Sequence, residues 1–337
     1  MMGQNPSKTG HAPAETGPKT AVEAEWTFDV DGDSTYAPVV ADGTVYVQSS
    51  EGPLHAVNAN DGSERWQFAS GHDSEFVPAV SQERVYVGGG QMFHALSTVD
   101  GTVEWEFSAE GDGFVSPVVV DDTVYVGNFG GGLYAIDAVE GTVRWQTLEN
   151  GTWTRSPAVA DGTVYTVFDD VLWAIDAESG SERWKFDEYD IHSKPTVAEG
   201  LVFISEKYGK FSAIDVDDGT VEWSIDSSWS GMAPGYTDGT VYMANSGNTF
   251  YAYDAAQGTE EWQISPDTWF EEAGPAVVDG TVYLGGLYGD VIALDAADGS
   301  TEWVFETGGP DVTSPAVVDG AVFTANGSGT LYKLVAE

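Results

Sequence analysis

The basic residues of this chain are scarce, and several of them are placed where they could bind an anion. Lysine and arginine together number 12, against 55 aspartates and glutamates. Four bases fall in polar segments between hydrophobic runs, and histidine and aromatic residues share those or similar segments: Trp153, Arg155, His192, Lys194, Lys207, Tyr208, Lys210, Trp229 and Trp269. Guanidinium and ammonium groups bind carboxylate or phosphate, and tryptophan, tyrosine and arginine dominate binding hot spots. We therefore expect these residues to bind a small anionic ligand or a partner protein.

The sequence predicts no catalytic residue and no metal site. It has no cysteine, which excludes disulfides, thiolate metal ligands and cysteine nucleophiles. Its five histidines do not have the spacing of metal ligands. The segment DVDGD at residues 29–33 has the start of a calcium-binding loop but lacks the later glutamate that such a loop requires.

The net charge of −43 is the most unusual property of the composition. Repulsion among so many acids destabilises a compact chain in dilute buffer, but concentrated salt screens it. We therefore predict a halophilic host, with an acidic surface for cations or basic proteins as the alternative. Nucleic acid is excluded as a partner, because binding phosphates needs clustered lysine and arginine.

The chain also lacks the features of a membrane-spanning protein. No apolar run approaches the length of a transmembrane helix, so we expect a protein that does not span a membrane. The first 21 residues are mostly polar, and no apolar signal-peptide core is present. They are predicted to form a flexible N-terminal arm, followed by one domain over residues 22–337.

A tryptophan recurs along the whole chain at intervals of 39 to 41 residues: Trp26, Trp66, Trp105, Trp145, Trp184, Trp223, Trp262 and Trp303. Each unit contains four short runs of alternating apolar and polar residues, separated by Asp-Gly and similar turn sequences. A period near 40 with four strands per unit is typical of a β-propeller blade. We therefore predict an all-β, eight-bladed propeller in which each tryptophan docks one blade on the next.

The two ends of the sequence predict how the ring closes. The eighth unit stops after its third strand, LYKLVAE, and has no tryptophan of its own. The first strand, EAEWTF, carries Trp26 but has no earlier strands before it. We therefore expect the N-terminal strand to complete the last blade and close the circle.

The repeat also places the candidate binding residues on one face. Connections between blades and loops between second and third strands lie together around the mouth of the central channel in a propeller. The four bases map to this face on blades four and five, and Lys194 directly precedes Pro195, where the other units carry Ala, Val, Ser or Gly. An alternative stays open, since charged surface loops usually pair locally. The acids available for such pairing are Asp187, Glu188, Asp190 and Glu206.

The repeat SPAVADGTVY…LWAIDAESGSERW resembles that of the pyrroloquinoline quinone (PQQ)-like propeller family, from Val22 to the C-terminus. That family includes quinoprotein alcohol dehydrogenases, the non-enzymatic outer-membrane assembly lipoprotein BamB and many halophilic archaeal proteins. The resemblance implies a non-catalytic binding scaffold without cofactor. The alternative that it implies is a PQQ-dependent dehydrogenase subunit with PQQ and calcium. This chain lacks the adjacent cysteine pair and the inserted loops of those dehydrogenases.

The opening MMGQNPSKTGHAP is similar to the stretch that precedes the first blade in exported archaeal relatives. This similarity implies an extracytoplasmic or cell-surface protein whose signal segment is absent from this chain. A cytoplasmic protein with a loose N-terminal arm is the alternative.

Overall fold

The computed structural model describes residues 15–32, 35–50, 52–69, 77–81, 83–111, 113–130, 132–149, 151, 153–187, 190–206, 209–226, 233–245, 248–270 and 274–337. These residues form strands and turns, with no helix among them. It follows that the described part of the chain offers no helix long and apolar enough to cross a membrane.

Thirty-two strands form eight four-stranded antiparallel sheets, each of which is one blade. The chain begins with β1 (Val22–Asp29), which belongs to the last blade. Blade 1 contains β2 (Val39–Ala41), β3 (Thr44–Gln48), β4 (Leu54–Asn58) and β5 (Glu64–Phe68). Blade 2 contains β6 (Ala79–Ser81), β7 (Arg84–Gly89), β8 (Met92–Ser97) and β9 (Val103–Ser108). Blade 3 contains β10 (Val118–Val120), β11 (Thr123–Asn128), β12 (Gly132–Asp137) and β13 (Val143–Thr147).

The remaining blades repeat this arrangement. Blade 4 contains β14 (Ala158–Ala160), β15 (Thr163–Phe168), β16 (Val171–Asp176) and β17 (Glu182–Phe186). Blade 5 contains β18 (Thr196–Ala198), β19 (Leu201–Ser205), β20 (Lys210–Asp215) and β21 (Val221–Asp226). Blade 6 contains β22 (Gly235–Thr237), β23 (Thr240–Ala244), β24 (Phe250–Asp254) and β25 (Glu260–Ile264). Blade 7 contains β26 (Ala276–Val278), β27 (Thr281–Gly285), β28 (Asp290–Asp295) and β29 (Thr301–Glu306). Blade 8 contains β30 (Ala316–Val318), β31 (Ala321–Ala325) and β32 (Thr330–Ala336), and β1 pairs with β32 as its outer strand.

The predicted eight-bladed propeller and its closure by the N-terminal strand are therefore confirmed. The short first strands of neighbouring blades contact one another around the complete circle, which places them about the central axis. Asp161 and Gly162, which join the first two strands of blade 4, both have positive φ, +46° and +70°. Two consecutive positive φ angles define the type I′ turn, whose twist matches that of the flanking strands.

The repeated tryptophans join each blade to the next. In blade 3, Trp145 Nε1 donates a hydrogen bond of 3.0 Å to the carbonyl oxygen of Ala177, in the turn before the outer strand of blade 4. Gly180 lies beside this indole, and a Cβ at that position would be 2.8 Å from Trp145 Cδ2. The same bond recurs from Trp26 to Ala59, Trp66 to Thr98, Trp105 to Ala138, Trp184 to Val216, Trp223 to Ala255 and Trp262 to Ala296.

Residues 15–21, the described part of the predicted arm, lie against blades 7 and 8. Thr16 and Ala21 accept backbone hydrogen bonds from Gly320 and Glu337, both in blade 8. Lys19 Nζ forms an ion pair of 3.2 Å with Asp279, in blade 7. The boundary at residue 22 stays a prediction as a domain boundary, but contacts with the ring begin before it.

A candidate binding site at the channel mouth

The connection that enters blade 4 is held as an extension of the first strand. Thr154 forms an isolated antiparallel bridge with Phe168, and the Arg155 backbone N–H donates to Val167 at 2.8 Å. The Trp153 carbonyl oxygen accepts a 3.0 Å hydrogen bond from the Asp169 N–H. The backbone at Trp153 and Arg155 is therefore fixed by the sheet, at the end of the blade opposite to the Asp161–Gly162 turn.

A cavity of about 550 Å³ lies at the mouth of the channel. A proline recurs in each of the eight units, from Pro38 to Pro315, directly before the first strand of the blade. Six of the eight residues that precede these prolines line the cavity: Ala37, Val77, Ser116, Ser156, Lys194 and Ser314. Because these positions come from six different blades, the cavity lies on the propeller axis. Its wall also contains residues from the neighbouring connections and loops: Thr35, Tyr36, Val115, Phe129, Trp153, Thr154, Arg155, Gly285, Leu287, Asp311, Val312 and Thr313. A volume of this size is within the ordinary range for ligand pockets.

Three of the residues that line this cavity are charged, namely Arg155, Lys194 and Asp311. The Arg155 guanidinium, which is half-buried, has no ion pair or hydrogen bond with any other described residue. Six other bases in the described part of the chain form ion pairs: Lys19, Arg84, Arg144, Arg183, Lys185 and Lys333. Arg155 is therefore a positively charged group at the channel mouth that is available to bind an anion, in a protein that is otherwise strongly negative.

Arg183 shows how arginine is accommodated at the opposite end of the same blade. Its guanidinium donates to Asp176, to the Thr163 hydroxyl and to the Gly162 carbonyl oxygen at 2.6 to 3.0 Å. The hydrogen bond from Arg183 holds the pKa of Asp176 well below its usual range. Arg183 is thus a structural arginine whose donors are bonded within the blade, in contrast to Arg155.

Ser156 is the second unsatisfied polar group of the cavity wall. Ser156 is 1% exposed, and its Oγ has no hydrogen-bond partner among the described residues. Buried hydroxyl groups are normally hydrogen-bonded, so an orphan hydroxyl beside a cavity calls for an explanation. Because the Oγ atom is itself buried, it does not reach a ligand in the cavity unless the wall rearranges.

Aromatic side chains stand exposed around the mouth. Trp153 is 65% exposed and contacts the Phe129 ring edge-on, with 5.6 Å between the ring centroids. Trp269 and Tyr288 are 48% and 65% exposed in blade 7. The Trp269 carbonyl oxygen accepts a 2.9 Å hydrogen bond from the N–H of Leu287, which lines the cavity, so the backbones of Trp269 and Tyr288 lie next to its wall.

The structure brings together only part of the residue set predicted from the sequence. Trp153, Arg155 and Lys194 line the axial cavity, and Trp153, Arg155 and His192 share an adjoining cavity of about 260 Å³. Lys210 does not line either cavity; it begins β20, and its carbonyl oxygen accepts from Glu206. Lys207, Tyr208 and Trp229 lie outside the described residues.

Two of the local acids expected to pair with these bases have the contacts that follow, Glu188 lies outside the described residues, and local pairing stays a prediction. Asp187 binds Lys185 at 2.9 Å, and the buried Glu206 accepts a 2.9 Å hydrogen bond from the Ser212 hydroxyl.

Two residues of the cavity wall, Ser156 and Asp311, were not predicted from the sequence. Ser156 could have been found, since it precedes Pro157 as Lys194 precedes Pro195. Asp311 has no such repeat signal.

The fit of calcium and PQQ to this site is poor. Calcium takes six to eight oxygen ligands, usually including several carboxylates. The cavity wall provides one carboxylate, Asp311, and no described group of three or more His, Asp or Glu residues could hold a metal ion. Neither does the sequence provide the cysteine pair that lies over the quinone in the dehydrogenases it resembles.

Comparison with known proteins supports the fold and the family. The family model described as outer membrane protein assembly factor BamB matches residues 19–75, 50–155, 148–234 and 226–337. BamB from Moraxella catarrhalis has 17% sequence identity and a TM-score of 0.78, and the match covers 94% of this chain and 98% of BamB. Quinohemoprotein alcohol dehydrogenase ADHIIG from Pseudomonas putida HK5 has 16% identity and a TM-score of 0.81, with 97% of this chain and 78% of the enzyme covered.

A computationally designed protein, Ika8, is similar to the same degree. It has 15% identity and a TM-score of 0.81, over 92% of this chain and 98% of the designed one. No curated protein matches the sequence. An outer membrane protein assembly factor, an alcohol dehydrogenase and a designed protein thus share this ring, so the likeness shows the fold and leaves the activity to be argued from the site.

Proposed function

The chain belongs to the family described as outer membrane protein assembly factor BamB, and from that premise we propose that it is a non-catalytic scaffold. It binds a partner protein through the loops around its channel mouth. The blades hold these loops in place, and the loops supply the contacts. This proposal goes beyond the family assignment. Quinone-dependent dehydrogenases have the same fold as the family, so membership of the family does not by itself distinguish a scaffold from an enzyme.

The observation that carries the proposal is the convergence of Trp153 and Arg155 at the axial cavity. Trp153 is largely exposed, and Arg155 has no bonded partner among the described residues. Both are anchored by backbone hydrogen bonds to β15 and the residue after it. A rigid, exposed tryptophan beside an available arginine is the composition of a protein-binding hot spot.

The proposed host is halophilic. Support comes from the net charge of −43, because a surface so acidic is stable only where salt screens it. A partner in such a cell meets this protein in concentrated salt, where long-range attraction is weak. Direct contacts at the channel mouth must then supply the affinity, which agrees with an aromatic and arginine site.

Site-specific photo-crosslinking tests the proposal. A photoreactive phenylalanine analogue replaces Trp153 at the channel mouth, and a matched chain carries it in place of the exposed Glu178 on the opposite face. Both are exposed to lysate of a halophilic host in concentrated KCl. A discrete adduct formed from position 153 alone supports the scaffold. Adducts formed from position 178 alone, or from neither position, contradict it.

The dehydrogenase alternative has a separate test. Purified protein is mixed with PQQ and calcium, and dye reduction with alcohols and sugars is followed. The scaffold predicts no turnover above that of the mixture without protein. Turnover that depends on the protein would show a quinone enzyme.

A further inference from the structure

The charged groups of the axial cavity define the chemistry of what it binds. We propose that the cavity binds a single carboxylate group, presented by an acidic side chain of a partner peptide. This inference rests on the proposed function and names the ligand chemistry at the same site. The carboxylate is held by the Arg155 guanidinium.

The first argument is the donor set. Arg155 offers a planar array of N–H donors that matches a carboxylate with two parallel hydrogen bonds. None of these donors is bonded to a described residue. The two oxygens of one carboxylate can accept from two of them.

The second argument is the charge balance of the cavity wall. Two basic residues, Arg155 and Lys194, and one acid, Asp311, line the axial cavity. Arg155 also lines the adjoining cavity, whose wall includes Asp169 and Asp170. A carboxylate carries one negative charge, which the single positive charge of the Arg155 guanidinium neutralises. A phosphate monoester carries about −1.5 to −2 at neutral pH and leaves excess negative charge in a chain already at −43.

The third argument concerns the source of the carboxylate. A free small acid needs only the cavity, whereas a peptide also needs a contact surface beside it. The exposed Trp153 ring lines the cavity and provides such a contact. The exposed residues Trp269 and Tyr288 extend this surface beside Leu287, which lines the same cavity. Exposed aromatics contribute little to an enclosed small ligand but are typical anchors for peptide and protein partners.

Fluorescence anisotropy with defined peptides tests this inference. The probe is a blocked peptide with one glutamate among leucine and tyrosine residues, labelled with a zwitterionic rhodamine. Its matched probe has glutamine at that position. Titrations are made in concentrated KCl, where the net charge of the protein is screened. We expect the glutamate peptide to bind about tenfold or more tightly than the glutamine peptide, as for loss of a hydrogen bond to a charged group.

Variants of the protein locate the effect. Arg155→Gln should remove the preference for glutamate. Arg65→Gln is the matched control, because Arg65 bonds to Thr44 and Gly43 at the opposite face, and the preference should persist. Thermal melting of each variant checks folding.

The outcomes are decisive in each direction. Equal binding of the two peptides, no binding of either, or a glutamate preference unchanged in Arg155→Gln overturns the carboxylate site. Free propionate that binds as tightly as the peptide shows a small-acid site and overturns the peptide source. These results are separable from the scaffold test, because a crosslinked partner can bind without an Arg155-dependent carboxylate, and the peptide preference can hold without a crosslinked partner.

Discussion

Trp303 Nε1 donates a hydrogen bond of 2.8 Å to the carbonyl oxygen of Pro18, across 285 residues of sequence. The other seven repeat tryptophans donate to a turn that follows the third strand of the next blade. Blade 8 lacks that turn, because its third strand is β32 and its outer strand is β1. The segment that precedes β1 supplies the acceptor instead, and the Tyr283 hydroxyl donates to the same oxygen at 3.2 Å.

Truncation of this segment should weaken the closure of the ring. A chain that begins at residue 22 loses the Pro18 acceptor and the Lys19–Asp279 ion pair, whereas a chain that begins at residue 15 keeps both. Four hydrogen bonds to backbone oxygens are lost, two at Pro18 and one each at Thr16 and Ala21, at a cost of about 2–6 kcal/mol of unfolding free energy. Chemical denaturation in concentrated KCl measures this loss of unfolding free energy. Equal unfolding free energies for the two chains would show that the segment does not contribute.

The indole contact between blades can be tested by a pair of glycine substitutions. Gly180→Ala places a Cβ 2.8 Å from the Trp145 indole at φ +72°, and Gly200→Ala meets no atom within 4 Å at φ +77°. Both variants bear the backbone cost of a left-handed alanine, about 1–2 kcal/mol. Gly180→Ala should lose about 1–3 kcal/mol more through overpacking. Equal losses in denaturant unfolding would contradict a tight contact at Trp145.

Alkaline pH should unfold the propeller through its buried tyrosines. Burial raises the pKa of the second-strand tyrosines Tyr46, Tyr86, Tyr125, Tyr165, Tyr242 and Tyr283, and it raises that of Tyr86 to about 12. An unfolded tyrosine ionises near pH 10, so the unfolded state loses its proton first as the pH rises. For Tyr86 this stabilisation is complete below pH about 10 and is lost towards pH 12, by about 1.4 kcal/mol per pH unit.

Tyr86→Phe provides the control for that titration. It removes one ionisable group and the hydrogen bond to the Ala138 carbonyl oxygen, so stability at neutral pH should fall. Its unfolding free energy should then decline less steeply between pH about 10 and 12 than that of the unmodified chain. Identical slopes would contradict the role of this tyrosine.

Salt should stabilise the protein strongly. Acids outnumber bases by 55 to 12, and six of the described bases are already in ion pairs, so most carboxylates have no cation beside them. The Debye length falls from about 10 Å at 0.1 M to about 3 Å at 1 M, which removes repulsion between exposed carboxylates. The melting temperature should therefore rise steeply with KCl. A melting temperature that is flat over this range would contradict the proposed halophilic host.

The repeat made the ring predictable, but it did not determine the contacts of individual side chains. The first strand carries Trp26, and the eighth unit has no tryptophan of its own. These two facts were enough to predict that β1 pairs with β32. Pro18 was not predictable as an acceptor, since an irregular segment without alternation gives no register. Likewise the sequence placed Arg155 and Asp187 in adjacent connections, but the direction of each side chain determines that Asp187 binds Lys185 and that Arg155 faces the cavity. Side-chain direction in such connections depends on tertiary packing, which the period of the repeat does not encode.

The affinity of a crosslinked partner for channel-mouth variants tests the central claim most directly. The partner is purified and titrated in concentrated KCl against the unmodified chain, a Trp153→Ala, Arg155→Gln double variant and the Arg65→Gln control. The scaffold account predicts that the double variant binds at least about tenfold more weakly, because a hot-spot residue contributes about 2 kcal/mol or more. The control should bind as the unmodified chain does. Unchanged affinity in a folded double variant would contradict the channel mouth as the binding face.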